Sequence, residues 1–130
     1  MKPKETIQEP KTLGEHLKRK RFELRFTQMD LADRLKVSPA TILNWEKDKT
    51  DPSPSTIPAI INFIGYQPFP EPKTLSERMH AKRRAKGWTS KEAAGQLGVD
   101  EGTWRRWEKE GIRWTRYRAM VEHFLKKLDN

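Results

Sequence analysis

The chain has 130 residues and a formal net charge of +9 at pH 7, from 27 basic and 18 acidic residues. This basic surplus favours polyanionic partners over neutral ones, and the absence of cysteine excludes disulfides and thiolate metal sites. No apolar run approaches the roughly 18 residues of a membrane span, so we expect a soluble, cytoplasmic protein with no membrane partner.

The sequence carries one module twice. Residues 9–47 recur at 71–109 with a fixed offset of 62, and 16 of the 39 aligned positions are identical. Gapless repetition of this length predicts duplication and two similar supersecondary units. We therefore predict a flexible arm over 1–10, a first domain over 11–66, a Pro-rich linker over 67–73 and a second domain over 74–130.

Helix-capping signals follow one another closely in the first copy. Thr12 with Glu15 has the spacing of a capping box, and Thr27 with Asp30 repeats it. Ser38, followed directly by a proline, is a good N-cap for a third helix. The first copy is thus predicted to form helices that begin near residues 13, 28 and 39, with a very short turn between the last two.

The second copy carries the same signals at the repeat offset. Thr74 with Glu77 and Thr89 with Glu92 predict two further capping boxes. Asp100 takes the place of the serine that caps the third helix. Helices are therefore expected to begin near residues 75, 90 and 101.

A fourth helix is predicted in both copies, beyond the repeated segment. Apolar residues spaced i, i+3, i+4 and i+7 mark one face of a helix. They are Ile57, Ile60, Ile61 and Ile64 in the first copy and Tyr117, Met120, Val121 and Phe124 in the second. The predicted fold is accordingly all-α.

The first copy resembles the Cro/cI-repressor-like (XRE family) helix-turn-helix DNA-binding domains. The matching residues are Gly14-Glu15-x-Leu17, the basic run that ends at Arg21, Thr27-Gln28-x-x-Leu31-Ala32, Leu35-x-Val37-Ser38, Thr41-Ile42-x-x-Trp45-Glu46 and Gly65. The second copy is similar, with Ser90 in place of the glutamine and Gly95 inside its second helix. The resemblance implies two tandem four- to five-helix lambda-repressor-like domains joined by the Pro-rich linker.

The resemblance also implies which residues contact double-stranded DNA. In that family the third helix enters the major groove, while the start of the second helix and the loop after the third hold phosphates. In the first copy the corresponding residues are Thr27, Gln28, Ser38, Pro39, Ala40, Thr41, Asn44, Lys47 and Lys49. In the second copy they are Thr89, Ser90, Glu101, Gly102, Thr103, Arg105, Arg106 and Lys109.

The two sets differ in the bases that they suit. Asn44 can pair with adenine and Arg106 with guanine, while Asp100 or Glu101 can accept a hydrogen bond from cytosine. The second copy therefore either reads a different sequence or adds backbone affinity through its arginines.

Ion pairs and tryptophans are interpreted as structural. The resemblance implies a pair between Arg21 and Glu46 and another between Arg83 and Glu108. Trp45 and Trp107 each follow an apolar residue by three positions, which places them in the two cores. Trp114, in the last connector, is expected to pack against the fourth helix in preference to a phosphate.

The residues do not favour an enzyme. No serine, carboxylate pair or glycine loop has the context that catalysis or cofactor binding needs, and the histidines occupy non-equivalent repeat positions, so we expect no catalytic, cofactor or metal site. We predict a sequence-specific transcriptional regulator, a repressor, that acts as a monomer with a pseudo-dimeric arrangement or as a weak homodimer.

Two alternatives remain open at this stage. In one, the second copy mediates dimerisation or binds a protein partner, as in an antitoxin-like regulator. In the other, the chain binds RNA or single strands, which requires an exposed aromatic platform. This alternative ranks lower because the tryptophans are predicted to lie in cores.

Overall fold

The computed structural model describes residues 9–129, which contain eight α-helices and no strand. This confirms the all-α prediction. The predicted arm over 1–10 lies outside the described residues except for its last two positions. The described chain divides into two compact units at the boundary between Pro70 and Glu71, here named unit 1 and unit 2. None of the helices has the length and apolar character needed to cross a membrane.

Unit 1 contains four α-helices and one short 3-10 turn, Pro54–Thr56. The helices are α1 (Leu13–Glu23), α2 (Gln28–Leu35), α3 (Pro39–Glu46) and α4 (Ile57–Ile64). Thr12 and Thr27 each form a reciprocal capping box, with Glu15 and Asp30 respectively. All three predicted helix starts are therefore confirmed.

Unit 2 contains α5 (Leu75–Lys86), α6 (Ser90–Leu97), α7 (Glu101–Glu110) and α8 (Thr115–Leu128). Thr89 and Glu92 form the predicted capping box. The box predicted at Thr74 is only half formed. Thr74 accepts from the Glu77 amide, but the Glu77 carboxylate accepts from the Lys73 amide, at 2.8 Å. The reason is that the flexible Glu77 carboxylate can reach either the amide of the cap residue Thr74 or that of Lys73 before it.

The core of unit 1 draws on all four helices. Its buried residues are Leu17, Leu31, Ala32, Ile42, Trp45, Ile60, Phe63 and Ile64. Trp45 is buried as predicted, whereas Ile61 is only half-buried and Phe63 is buried in its place. Helix α4 is apolar on nearly every side, so isoleucine spacing did not define its inner edge. The inner edge of α4 is set instead by the contact between Phe63 and Phe26, whose ring centroids lie 6.0 Å apart.

The core of unit 2 has the same layout with larger aromatic groups. Its buried residues are Leu75, Met79, Ala93, Ala94, Trp104, Trp107, Ile112, Val121 and Leu125. The predicted face of α8 was wrong by part of a turn, because Met120 is 37% exposed and Leu125 is buried. Trp104 meets Phe124 edge to face, with centroids 6.3 Å apart, so Phe124 stays at the core margin.

The contact between the first and third helices differs between the units at one repeat position. A Cβ atom on Gly14 would lie 2.1 Å from the Trp45 carbonyl oxygen, so only glycine fits there. Ser76 is its counterpart, and its hydroxyl donates to the Trp107 carbonyl. The close approach of the first and third helices is thus accommodated in unit 1 by the absence of a side chain at Gly14 and in unit 2 by a hydrogen bond from Ser76.

A polar cluster joins the end of unit 1 to α1. The Tyr66 hydroxyl accepts from the Arg19 guanidinium at 2.8 Å and lies 2.7 Å from His16 Nδ1. Tyr66 can donate its proton to Nδ1 only when that nitrogen is unprotonated, as it is in one tautomer of neutral His16. Burial and the nearby Arg19 charge both lower the pKa of His16, against a smaller opposite effect of Glu15.

We expect this cluster to make the stability of unit 1 depend on pH. Because the folded pKa of His16 is below its unfolded value of about 6.5, the folded state favours the neutral ring. The contribution is complete above pH 6.5 and is lost as the pH falls toward the folded pKa. Denaturant unfolding of wild-type protein and His16→Gln on both sides of pH 6.5 measures it. An equal pH dependence in the two proteins would contradict the assignment.

Candidate nucleic-acid interface

The turn between α2 and α3 fixes the direction of α3. Only residues 36–38 separate the two helices, and Lys36 adopts a left-handed conformation with φ of 60°. The Val37 amide then donates to the Ala32 carbonyl at 3.0 Å. In unit 2 the same turn has Gly98 at φ 95°, a conformation that glycine adopts without strain. Both units therefore hold their third helix across a turn of the same form.

The outer side of α3 is formed by its exposed residues and by the half-buried Asn44. The exposed ones are Ser38, Pro39, Ala40, Leu43 and Lys47. Ser38 caps the helix by accepting from the Thr41 amide at 3.1 Å, and the two hydroxyl oxygens lie 2.9 Å apart. Those hydroxyls are therefore already engaged, whereas the side-chain amide of Asn44 makes no hydrogen bond within the described residues.

Leu43 belongs to this outer side, although the sequence analysis did not name it. Its side chain is 37% exposed, one position after the buried Ile42. An apolar side chain there suits the methyl group of thymine. The helical spacing to Ala40 and Lys47 was the available signal, because residues three and four apart share a face.

At the start of α2, Gln28 is drawn toward a buried ion pair. Arg21 donates to both Glu46 carboxylate oxygens, at 2.6 and 2.9 Å, and to the Phe26 carbonyl at 2.9 Å. The Gln28 amide donates to Glu46 at 3.2 Å, which leaves one of its N–H groups for a phosphate. Thr27 is exposed, with its hydroxyl oxygen accepting from the Asp30 amide. The pair between α1 and α3 therefore also positions the expected phosphate contact.

Unit 2 has a looser version of this arrangement. Arg83 donates to Glu108 at 2.8 and 3.2 Å, and the two side chains are 15% and 11% exposed, against 9% and 2% for Arg21 and Glu46. Ser90, at the position of Gln28, forms no bond to this carboxylate. The Trp104 indole and His80 approach Glu108 instead.

The acidic tip of α7 is largely occupied. Both Asp100 oxygens accept from Thr103, from its hydroxyl at 2.6 Å and its amide at 3.1 Å, and these bonds lower the pKa of Asp100. Glu101 pairs with Arg105 at 3.2 Å on the surface. Asp100 therefore acts as a helix cap, and its expected acceptance from cytosine stays a prediction.

The rest of the exposed α7 surface is basic except for Glu110 at its end. Gly102, Arg106 and Lys109 are exposed, and Thr89 is exposed at the start of α6. Arg106 borders an open groove that continues to the connector before α8, where Arg113 and Arg118 also line it. The structure thus brings the second copy's guanine-reading candidate together with two further arginines.

Trp114 does not pack against the fourth helix, so that prediction was wrong. Its side chain is 63% exposed, whereas Ile112, two residues earlier, is 6% exposed. Gly111, with φ of 89°, turns the chain at the end of α7, and Ile112 then fills the core position. The Tyr117 ring covers Trp107, with centroids 5.6 Å apart. No inward space therefore remains for the indole of Trp114.

No group of three or more histidine, aspartate or glutamate side chains within residues 9–129 is arranged to hold a metal ion. Apart from the carboxylates of Asp100, Glu101 and Glu110 in unit 2, the polar groups of both third-helix surfaces are hydroxyls, amides, lysines and arginines. These groups suit phosphates and base edges.

Comparison with known proteins identifies one part of the chain. Residues 17–69, which make up most of unit 1, match the family described as Helix-turn-helix. Over 66 residues the chain is 39% identical to the Type II methyltransferase M1.ScrFI of Lactococcus lactis subsp. cremoris. That segment is 48% of this chain and 17% of the methyltransferase. No solved structure matches the chain.

Proposed function

We propose that this chain, whose residues 17–69 form a helix-turn-helix domain, is a sequence-specific double-stranded DNA-binding transcriptional regulator that acts as a repressor. The observation that carries the proposal is the outer side of α3, where Asn44, Leu43 and Lys47 stand beside a capped and exposed helix start. An exposed third helix held across a short turn is the geometry that enters a major groove.

Unit 2 serves in this proposal as a second, different reading head. The same turn and the same helix order support this role, as do Arg106 and Lys109 on the exposed surface of α7. Adjacent major grooves on one DNA face are about 34 Å apart. The segment over residues 65–73, which includes the linker, spans roughly 28 Å when extended at about 3.1 Å per residue, and the width of the units adds to that reach. One chain can then occupy an asymmetric site with two unlike half-sites.

Selection of bound duplexes from a random pool tests this function directly. We expect one enriched motif that contains two unlike half-sites, separated by about one helical turn. Recovery of a motif with a single half-site would show that unit 2 takes no part in base recognition. Recovery of no motif would contradict sequence-specific binding itself.

Two substitutions in unit 1 separate base reading from phosphate binding. Asn44→Ala is expected to cost about 1–3 kcal/mol on the preferred sequence and to relax the preference at one base pair. Lys49→Ala is the matched control, expected to weaken binding to all sequences and to reduce the salt slope by about 1. Competition binding on matched and mismatched duplexes at several salt concentrations measures both. An equal loss on all sequences for Asn44→Ala contradicts its role.

The alternative function, in which unit 2 binds a protein partner or a second copy, has one observation in its favour. Trp114 exposes an indole on unit 2, as interface residues often do. The acidic tip supports it less, since Asp100 and Glu101 are occupied within α7. Sedimentation with and without duplex measures the oligomeric state, and footprinting measures which half-sites are protected. A monomer that protects two half-sites excludes the alternative.

The proposal gives the chain no catalytic role. The family matched by residues 17–69 is a DNA-binding family, and the aligned segment is 17% of the methyltransferase.

A further inference from the structure

Unit 2 exposes an aromatic ring among cationic side chains. Trp114, directly before α8, is 63% exposed, and its indole makes no hydrogen bond within the described residues. The Arg113 guanidinium lies 5.9 Å from the centroid of its ring, and that of Arg116 lies 4.8 Å from the Tyr117 ring centroid. The packing of unit 2 does not require a tryptophan at this position, so the ring of Trp114 is available to a partner outside the unit.

The surroundings of the ring favour an anionic partner with a flat apolar face. Trp114 is the exposed large apolar side chain among the residues that line the groove beside α7, and Arg106, Arg113 and Arg118 line it too. The groove also contains two carboxylates, Asp100, which is bound to Thr103, and Glu110 at the end of α7, against its three arginines. A guanidinium beside an exposed indole matches a phosphate next to a nucleobase.

The partner must offer a base face that is not already stacked. Inside a duplex both faces of each base are covered by neighbouring base pairs, so an indole reaches such a face only on an unpaired nucleotide. Single-stranded segments present these faces along their whole length, next to their phosphates. The burial of Trp104 and Trp107 leaves Trp114 as the tryptophan of this groove that is available for stacking.

We propose that Trp114, with Arg113 and Arg106, forms a stacking site on unit 2 for an unpaired base of single-stranded nucleic acid. The site is additional to the proposed reading of duplex DNA and stands independently of it. Arg113 holds the adjacent phosphate while the indole covers the base. Stacking depends on the ring and is largely tolerant of base identity.

Fluorescence anisotropy of the intact protein with a labelled oligomer of about ten thymidines tests the site. Trp114→Ala is expected to lower the affinity by roughly 5-fold to 150-fold, the range for one aromatic–base stack. Trp114→Phe keeps a ring and is expected to retain most of the affinity. Met29→Ala is the matched control, since Met29 is also 63% exposed, and it should leave binding unchanged. An equal loss with a uridine oligomer would show that the site accepts RNA as well as DNA.

Three outcomes overturn the proposal. The first is that the wild-type protein fails to bind the thymidine oligomer. The second is that Trp114→Ala binds it as tightly as wild type. The third is that Trp114→Ala loses equal affinity for an oligomer without bases, because the ring would then act on the backbone alone. Binding of the selected duplex, measured in parallel, reports on the proposed regulator function separately from all three.

Discussion

Replacement of Glu46 by alanine is expected to destabilise unit 1 by about 3–5 kcal/mol, which is a large fraction of the stability of a small domain. The Glu46 side chain is 2% exposed and accepts two hydrogen bonds from Arg21 and one from Gln28. Its removal leaves the Arg21 guanidinium buried without a counter-charge. Denaturant unfolding followed by circular dichroism measures the loss.

Unit 2 supplies the matched control for this prediction. Glu108→Ala removes the equivalent carboxylate, but Glu108 is 11% exposed and Arg83 15%, so water can partly replace the lost partner. We expect a smaller destabilisation there. The double replacement Arg21→Met with Glu46→Leu should recover much of the stability lost by Glu46→Ala, because no charge is stranded. A loss below about 1 kcal/mol for Glu46→Ala would identify the pair as no more than a surface contact.

Reversing the charge of the α7 surface is expected to weaken binding to the full site by about 100-fold to 10,000-fold. The double variant Arg106→Glu with Lys109→Glu alters two exposed side chains and leaves the core unchanged. When two linked heads bind one duplex, loss of either head removes the advantage of linkage. Titration of the selected duplex, with each half-site alone as a reference, measures the effect.

The control for this variant is Lys126→Glu with Lys127→Glu, near the end of α8. It makes the same change in net charge on exposed residues of the same unit. Binding should fall only slightly, through the general loss of positive charge. If both double variants weaken binding equally, unit 2 contributes charge without a reading surface. If neither does, the alternative function of unit 2 as a partner-binding module is favoured.

Most helix starts were predictable because their signals are local. A capping side chain bonds to an amide three residues away, so Thr12, Thr27, Ser38 and Asp100 act within one turn of helix. The half-formed box at Thr74 shows the limit of such reasoning. Two amides lie within reach of the Glu77 carboxylate, and residue spacing does not choose between them.

The buried faces of the fourth helices were less predictable. Sequence periodicity gave Ile60, Ile64 and Val121 correctly, but Phe63 and Leu125 take positions assigned to Ile61 and Met120. The buried face of each fourth helix depends on which aromatic rings of other segments pack against it, and those rings are far away in the sequence. The expected DNA contacts of both units stay predictions, to be tested by the selection and the variants above.

The repeat is visible in the order of the residues alone. The all-α class and the capped helix starts were also predictable from the sequence, because caps and helical periodicity depend on residues only a few positions apart. Tertiary structure alone decided that Trp114 faces outward, since Ile112 and Tyr117 occupy the inward positions beside Trp107. It also drew Gln28 onto Glu46, 18 residues further along the chain. Whether a polar side chain is free to bind a partner depends on which polar groups lie within about 3 Å of it. For groups far apart in the sequence, that distance cannot be read from their spacing along the chain.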